Sequence, residues 1–485
     1  MKIGINRALI VLVLIPYLIA CEKKSNPVNA EPDEQVQGFT HVNLVTMRDQ
    51  SVLTDQTVLI DGTRISTVGP SADVAIPEGI RCLDGTGYFL MPGLADMHMH
   101  TRQDWMTDRW PVIPLLLYLA NGITTVRDFG PNGDDLTYPL VWKADIDAGD
   151  MAGPYLYTSG MQVRYDTGTS LSPQQIVTWN HTQGFDFLKI YSYVSYTDFQ
   201  EAMAAATQLG MYTASHIPYP VGFEYLVTEG YSEIAHIEEL DWEFIELDRD
   251  TVLAWGEWLP YLIGIVLQEY DIQSGFNQSD FQERYGAKYN LIKNRLIANN
   301  IPICTTMMVD QIIVEKLFNP AAFLSRPELR FLPQDYLTAF NQGVEKHQVQ
   351  FRGIEDLAIF KYEFDRFLLK DLHLSGIMLL LSTDSGTGTM GIVPGYSIHD
   401  ELHILTDNGF TPYEAIATGT VNASRVVERM TGIDEFGTIE TGKRADLLLI
   451  EGNPLEAVNN IKNIKGVMAN GTWYSRKTLD VMTGS

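Results

Sequence analysis

The sequence predicts an α/β protein whose central part is a distorted TIM (β/α)8 barrel, beside a small β-sandwich that both chain ends build. Eight short apolar runs typical of β-strands alternate with helical stretches, which is the pattern of a parallel sheet with crossover helices. Both ends of the chain instead carry β-rich runs separated by turns. The eight runs are residues 93–100, 124–128, 155–159, 187–191, 212–216, 233–236, 302–305 and 378–384.

The first segment of the chain reads as an export signal. Lys2 and Arg7 precede an apolar run at 8–15 that is well short of the ~20 residues of a spanning helix. Leu-Ile-Ala-Cys, ending at Cys21, looks like a bacterial lipobox, in which this cysteine is lipidated. The alternative is an ordinary secretory signal with an incidental cysteine. Glu22 is not the aspartate that usually retains bacterial lipoproteins in the inner membrane. We therefore expect a lipid-anchored envelope protein, on the outer membrane and facing the periplasm.

The rest of the chain divides into β-rich ends and a central barrel region. Asp61-Gly62 marks a hairpin in the N-terminal β-region, and strand-then-turn units occur near residues 445–454 and 466–471. The stretch between the sixth and seventh runs is too long for one crossover and rich in aromatic residues, so it forms either a lid or extra outer helices. The expected division is a signal peptide at 1–20, a polar tether at 21–37, the two sandwich parts at 38–92 and 433–485, and the barrel at 93–432.

The composition narrows the classes of protein. The chain has 485 residues, 45% of them apolar, so it can bury a large core. Its 34 Lys and Arg against 61 Asp and Glu give a net charge of −27, which argues against a nucleic-acid partner. Three cysteines cannot build a disulfide framework, and we expect Cys82 and Cys304 to be buried thiols. A small-molecule substrate is the expected partner, and the sequence leaves homo-oligomerisation open.

Potential metal ligands stand at the ends of five of the eight runs. His98 and His100 are two residues apart, so both imidazoles lie on one face of the first strand, at the end where barrel enzymes keep their catalytic groups. Any one such residue is more often a structural hydrogen-bonding group, but six in this order together predict a metal site. The six are His98, His100, Lys189, His216, His236 and Asp384.

Lys189 is the unusual member of the set. It lies in the apolar run Phe-Leu-Lys-Ile-Tyr, where an ammonium is costly to bury and readily loses its proton. A neutral amine can add carbon dioxide to give a carbamate. We expect this anionic group on Lys189 to bridge two divalent metal ions.

The order of these ligands resembles the amidohydrolase superfamily, in its binuclear, carboxylated-lysine branch. Residues 61–69, 411–416 and 437–446 are similar to the hairpin, helix and return strand that these enzymes share. Residues 125–128 and 153–156, with the Lys189 strand, most resemble the imidazolonepropionase-like and metal-dependent prolidase group.

The resemblance implies a fold, a ligand arrangement and a reaction. Two ligand sets would share the lysine: one of His98, His100, Lys189 and Asp384, and one of Lys189, His216 and His236. A hydroxide bridging the metals would attack a carbonyl, and Asp384 would pass its proton to the leaving nitrogen. Zinc is the default metal for these ligands, with manganese and iron as alternatives.

The implied activity is hydrolysis of an amide-type C–N bond, in an Xaa-Pro dipeptide or cyclic amide. A lactonase or phosphotriesterase on the same site is one alternative, and a non-catalytic binding lipoprotein on a retired barrel is another. The spacing of His236 and Glu239 is like that of mononuclear deaminases, whose glutamate usually follows the strand-five histidine. This chain has Tyr219 there, which favours hydrolysis.

Three residues are candidates for contacting the substrate. Arg127 ends the second run and could bind a substrate carboxylate through two parallel hydrogen bonds. The alternative is an internal ion pair that braces the strand. Tyr191 and Tyr193, just past Lys189, are candidates to line the pocket.

Overall fold

The computed structural model describes residues 35–131, 133–164, 170–386 and 390–484. The predicted signal peptide, Cys21 and most of the tether lie outside these residues. Val36, counted in the tether, is 2% exposed, and the Gln37 amide donates a hydrogen bond to Arg81 O. The last residues of the expected tether therefore already belong to the folded body. In the described part of the chain, no helix has both the length and the apolar character needed to cross a bilayer.

Strands and helices alternate over the middle of the chain. The strands are β1 Gly38–Leu44, β2 Leu53–Asp61, β3 Arg64–Pro70, β4 Cys82–Asp84, β5 Phe89–Pro92, β6 Leu94–Met99, β7 Ile123–Asp128, β8 Tyr155–Thr158, β9 Phe187–Leu188, β10 Tyr212–Ser215, β11 Glu233–Ile234, β12 Ile303–Cys304, β13 Leu379–Leu380, β14 Leu447–Ile450, β15 Ile464–Ala469 and β16 Thr472–Ser475. The helices are α1 Pro114–Ala120, α2 Tyr138–Ala148, α3 Pro173–Gln183, α4 Tyr196–Leu209, α5 Gly222–Thr228, α6 Trp258–Glu269, α7 Gln278–Ala298, α8 Met308–Phe318, α9 Pro320–Ser325, α10 Gln334–Asn341, α11 Lys346–Gln350, α12 Asp356–Leu374, α13 Ser397–Asp407, α14 Pro412–Thr418, α15 Val421–Thr431 and α16 Arg476–Thr483.

The helices begin and end at residues suited to those positions. Before α3, the Ser172 hydroxyl accepts a hydrogen bond from the Gln175 amide, which satisfies a helix N–H that has no partner within the helix. Ser195 caps α4 in the same way. Gly184 and Gly210 follow these two helices with φ of 89° and 65°, a conformation that glycine adopts without a side-chain clash. These caps position the crossover helices between parallel strands.

The middle of the chain forms two parallel sheets. One has the strand order β6-β7-β8 and the other β9-β10-β11-β12-β13. Single parallel bridges join their edges, from Ser159 to Phe187 on one side and from Met99 to Ser385 on the other. The Met97 amide also donates to Leu381 O at 2.9 Å. The α/β class with a mostly parallel sheet is thus as the sequence predicts.

The two ends of the chain share one mixed sheet of eight strands. β14, near the C-terminus, pairs antiparallel with β5, and β1 pairs with β2, β4 and β5. Phe39 on β1 contacts Trp473 on β16 with ring centroids 5.3 Å apart, although three strands separate them in the sheet. The sheet therefore curls over a core of its own, and the expected pairing of the chain ends is found.

Two details differ from the sequence prediction. All eight predicted runs contain a strand, but in the last six runs, which contain β8 to β13, the strand is only two to four residues long. In the predicted run 187–191, only Phe187 and Leu188 form a regular strand. Beyond Leu188 the pairing is reduced to a single bridge between Val163 and Ile190. Cys304 is buried, as expected, but Cys82 is only half-buried, because its short strand β4 pairs with β1 alone.

Candidate metal centre

Three of the predicted ligands converge where β6 and β13 end. The candidate ligand atoms of His98, His100 and Asp384 all lie within 4.8 Å of one another. The Nε2 atoms of His98 and His100 lie 3.4 and 3.2 Å from Asp384 Oδ1. The Asp384 amide donates to His98 O at 2.8 Å, so backbone pairing between the two strand ends sets this approach.

The Nδ1 atoms of all four histidines are engaged by the protein. They contact Ala235 O (His98, 3.0 Å), Gly130 O (His100, 3.1 Å), Glu239 Oε1 (His216, 2.5 Å) and Thr306 Oγ1 (His236, 2.9 Å). A carbonyl or carboxylate oxygen can only accept, so at least His98, His100 and His216 carry their proton on Nδ1. Each then presents the lone pair of Nε2, as a metal ligand must.

Burial keeps three of these imidazoles neutral. It lowers the pKa of His98 well below its usual range, and the neighbouring His236 and Lys189 lower it further, because a second positive charge beside them would be unfavourable. Burial likewise lowers the pKa of His216 to about 3 and that of His236 to about 4. Neutral imidazole is the form that binds metal, so no proton has to be removed from these rings at pH 7.

Lys189 is buried close enough to His98 and His216 to lower the pKa of both imidazoles. Its residue is 2% exposed, and its Nζ is 5.5 Å from the Phe129 ring centroid and 5.4 Å from that of Tyr191. Burial lowers the pKa of the Lys189 amine to about 8, although the Asp384 carboxylate opposes the shift. At pH 7 about a tenth of the amine is then neutral, far more than for an ordinary lysine, and the neutral amine is the form that carbamate formation requires.

Asp384 is held in an unfavourable backbone conformation. Its φ of 55° lies in the left-handed region, which residues with side chains rarely adopt and which recurs at functional sites. Burial raises the pKa of its carboxyl, but the bond with His100 and the nearby His236 and Lys189 outweigh this and lower it to about 2. Asp384, whose side chain is 16% exposed, is therefore ionised and faces imidazole lone pairs.

These residues fit a cation. His98 Nε2 is a buried atom with no hydrogen-bond partner among the described residues, although Asp384 Oδ1 is 3.4 Å away. Two ligand atoms about 2.1 Å from one zinc ion at a tetrahedral angle are about 3.4 Å apart. An ion between the imidazole and carboxylate lone pairs would satisfy both.

The second predicted ligand set is adjacent but less tightly gathered. The His236 ring centroid is 4.4 Å from that of His98 and 5.1 Å from that of His216. His216 and His236 do not belong to the compact ligand cluster of His98, His100 and Asp384. The fold thus brings all six predicted ligands to one region, with three in direct ligand-to-ligand range.

The prediction that Arg127 binds a substrate carboxylate is wrong. Its side chain is 0% exposed and forms two hydrogen bonds with the equally buried Glu233 carboxylate, one of them 2.9 Å long. Its Nε donates to Met97 O at 2.9 Å, and its guanidinium lies over the Phe129 ring. Strand β7 directs the Arg127 side chain into the protein core. The structure therefore supports the alternative interpretation, an internal ion pair that braces the strand.

Tyr191 and Tyr193 do line a cavity. This cavity, of about 250 Å³, also includes His216 and Glu239 and is therefore continuous with the candidate metal centre. Helix α6 covers part of it through Leu259, Ile263 and Val266, which is where the sequence left a lid and an outer helix as alternatives.

Sequence reasoning did not identify the groups that orient the ligands. Glu239 accepts from His216 Nδ1 and from the Ile217 amide, and Thr306 contacts His236. The sequence drew attention to Glu239 through its spacing from His236. In the structure, however, Glu239 binds His216, which follows a different strand. Thr306 has φ of 48° yet occupies no recognisable motif.

The C-terminal part of the chain matches the Amidohydrolase family model over residues 341–474. Short segments resemble curated proteins. An imidazolonepropionase of Pseudomonas syringae pv. tomato is 34% identical over 61 residues, 13% of this chain and 15% of that protein. A dihydroorotase of Mycobacterium tuberculosis is 44% identical over 46 residues, 10% of each chain. The aligned segments thus span only a small part of these relatives.

Solved structures resemble the chain over nearly its whole length. A putative prolidase from Bifidobacterium longum superposes with a TM-score of 0.61 at 24% identity, over 91% of this chain and 95% of its own. An Xaa-Pro dipeptidase with bound methionine superposes with a TM-score of 0.60 at 16% identity, over 90% of this chain and 99% of its own. At these identities the likeness shows a common fold. The family model thus matches the C-terminal part of the chain, and the solved structures share the fold of nearly the whole chain.

Proposed function

We propose that the protein is a binuclear metal-dependent hydrolase that cleaves an amide-type C–N bond in a small substrate. One observation carries the proposal: His98 Nε2, buried and without a hydrogen-bond partner among the described residues, faces the ionised carboxylate of Asp384. The other predicted ligands stand around this pair. Such an arrangement of lone pairs is stable when cations lie between them.

The residues have distinct roles in this proposal. His98, His100, Lys189 and Asp384 would hold one metal, and Lys189, His216 and His236 the other, with Lys189 carboxylated. Bound divalent metals, zinc by default, would lower the pKa of water and polarise the scissile carbonyl. Asp384 Oδ1 would accept the proton of the attacking water and deliver it to the leaving nitrogen. Glu239 would keep the His216 ring oriented, and Tyr191 and Tyr193 would line the substrate cavity.

Similar proteins support the type of bond. The relatives include a dihydroorotase and an imidazolonepropionase, and the similar structures include an Xaa-Pro dipeptidase and a prolidase complexed with N-methylphosphonate-L-proline. We infer from them that the bond is carbon–nitrogen and that the Xaa-Pro dipeptide or cyclic amide class is the first to test. The chain would act on a small molecule and not on nucleic acid.

The finer architecture and the location belong to the same proposal. The bridges at both edges of the two parallel sheets support one closed eight-stranded barrel over residues 93–432, with the sheet of both chain ends as a second unit. The lipobox-like sequence at Cys21 supports a lipid anchor in a bacterial outer membrane, facing the periplasm.

Metal analysis and a substrate panel test the function. Protein loaded with zinc, manganese or iron would be assayed on Xaa-Pro dipeptides, cyclic amides, lactones and phosphotriesters. We expect two metal ions per chain and turnover of an amide. Turnover of lactones or phosphotriesters alone would replace the amide assignment, and a protein without bound metal or turnover would favour a binding lipoprotein.

A further inference from the structure

The cavity beside the metal centre has a wall of unusual charge. It extends from His216 and Tyr191 to a group of acidic residues around one lysine, Lys361. An apolar cavity of about 150 Å³ is enough to hold benzene, so a cavity of about 250 Å³ can hold a group larger than one ring. We call this space the side pocket.

Most of the side pocket is apolar. Helix α6 contributes Ile263 and Val266, and the opposite side is aromatic, with Phe360 and Phe364 on α12 and Tyr270 between the two. Aliphatic and aromatic walls favour an apolar guest by removing its surface from water. The guest that fits here therefore has an apolar body.

The lysine in the wall of the pocket, Lys361, already contacts three carboxyl groups. Lys361 Nζ lies 2.8 Å from Glu238 Oε2, 2.8 Å from Asp310 Oδ1 and 2.6 Å from Asp365 Oδ2. Three carboxyl groups around this ammonium leave it little attraction for a further anion. Among the described residues that line the side pocket, four are Asp or Glu and two are Lys, so acidic groups outnumber basic ones in its wall. Burial raises the pKa of Asp241 to about 7, and a cation beside it would favour the ionised carboxylate.

Asp241 is the acid that Lys361 does not satisfy. Its Oδ2 is 3.8 Å from Lys361 Nζ, and its Oδ1 has no hydrogen-bond partner among the described residues although the residue is only 8% exposed. Burial raises the pKa of the neighbouring Asp365 to about 8, so near pH 7 this carboxyl retains a proton that it can share with Asp241. A buried carboxylate needs such a donor, and a cationic guest would take the place of the shared proton as the partner of Asp241.

We propose that the side pocket binds an apolar substrate group that ends in a positive charge, such as a protonated amine, with Asp241 as its ion-pair partner. The inference rests on the proposed function, since it specifies what part of the substrate lies beside the metal centre. The surrounding rings of Tyr270 and Phe360 add cation–π attraction. This sign is opposite to the substrate carboxylate that Arg127 was expected to bind.

Binding of three matched probes tests the charge. The probes are 4-phenylbutylamine, 4-phenylbutanol and 4-phenylbutyrate, which share an apolar body and are positive, neutral and negative at pH 7. Calorimetry on the metal-loaded protein should show the amine binding about tenfold more tightly than the alcohol, and the carboxylate binding most weakly. A carboxylate that binds as tightly as the amine would overturn the proposal.

Variants locate the binding. Asp241→Asn should weaken amine binding about tenfold and leave the alcohol unchanged, whereas Asp407→Asn, an exposed aspartate on α13, should change neither. An unchanged preference for the amine in Asp241→Asn would overturn the assignment of Asp241. If Asp241→Asn does not fold, Ile263→Trp, which fills the pocket from α6, should weaken all three probes at least tenfold. Unchanged binding in that variant would place the guest elsewhere.

These measurements require no turnover, so they separate the two proposals. Amine-selective binding without hydrolysis of any substrate would overturn the proposed function and retain the side pocket. Hydrolysis with no preference for the amine probe would support the proposed function and overturn the side-pocket proposal.

Discussion

Single residues at the metal centre are positioned by partners far along the chain. His98 Nδ1 contacts the carbonyl of Ala235, which is 137 residues away in sequence, and His216 is oriented by Glu239 on the segment after β11. Partners of this kind fix the ring orientation and the tautomer of a ligand histidine. The geometry of each ligand therefore depends on the neighbouring strand as well as on its own.

Lys189→Ala tests whether the lysine holds both metals. Without the bridging group the bound metal should fall from two ions per chain to one or fewer, and turnover should fall at least a hundredfold, with partial recovery on adding bicarbonate or short carboxylates. Elemental analysis and activity assays measure both. Lys293→Ala, at an ion pair with Asp371 away from the centre, is the control. A wild type that holds a single metal ion, together with full activity in Lys189→Ala, would mean that the site is not binuclear.

Arg127→Met tests the buried ion pair. Removing the guanidinium leaves the Glu233 carboxylate uncompensated in the core, so the free energy of unfolding should fall by about 3–5 kcal/mol. Arg295→Met, at a half-exposed pair with Glu224, should cost at most about 1 kcal/mol. Denaturant titration compares the two. A variant of unchanged stability that has lost affinity only for substrates with a carboxylate would restore the clamp hypothesis.

At the scale of elements, short strands bring the functional groups together. β11, β12 and β13 are two residues long, yet the residues that follow β11 and β13 include His236 and Asp384. Because parallel strands expose their carboxyl ends at one edge, ligands from distant elements meet there. The segment after β13 approaches the end of β6 so closely that a glycine is required.

Gly386→Ala tests this contact. Gly386 has φ of 104°, and an added Cβ would lie 1.9 Å from His100 O, so the end of β6 would have to move. We expect the affinity for metal to fall at least tenfold, measured by chelator competition, while the fold is retained. Gly376→Ala, at φ of 75° with open space around the Cβ, should cost only backbone strain of about 1 kcal/mol and leave metal binding unchanged.

At the scale of the whole molecule, the two chain ends close one sheet beside the parallel strands. Val36 is buried in the core of this sheet, with Phe39 and Met468. Any tether between Cys21 and the body is therefore no longer than residues 22–35, and the anchor would hold this sheet close to the membrane.

Cys21→Ser tests the lipid anchor. Without the thiol no lipid can be attached, so the protein should accumulate as unprocessed precursor or leave the membrane fraction, which fractionation and intact mass would reveal. Cys82→Ser, at a half-buried thiol of the folded body, should remain in the membrane fraction. If the mass and the fractionation of Cys21→Ser match those of the wild type, the lipoprotein prediction is wrong.

The sequence by itself determined the α/β class, the eight β runs and the six metal-ligand candidates. This was possible because strand periodicity and ligand spacing are local: His98 and His100 share a face whatever surrounds them. It also predicted that the chain ends pair, since both carry β-rich runs separated by turns.

Only the tertiary structure decided where the charged side chains point. Alternation along β7 left open whether Arg127 faces the substrate, and its partner Glu233 is 106 residues away. The group around Lys361 likewise draws carboxylates from separate elements, Glu238 and Asp310 among them. A buried charge takes the partner that the fold places beside it, and no local pattern encodes that choice.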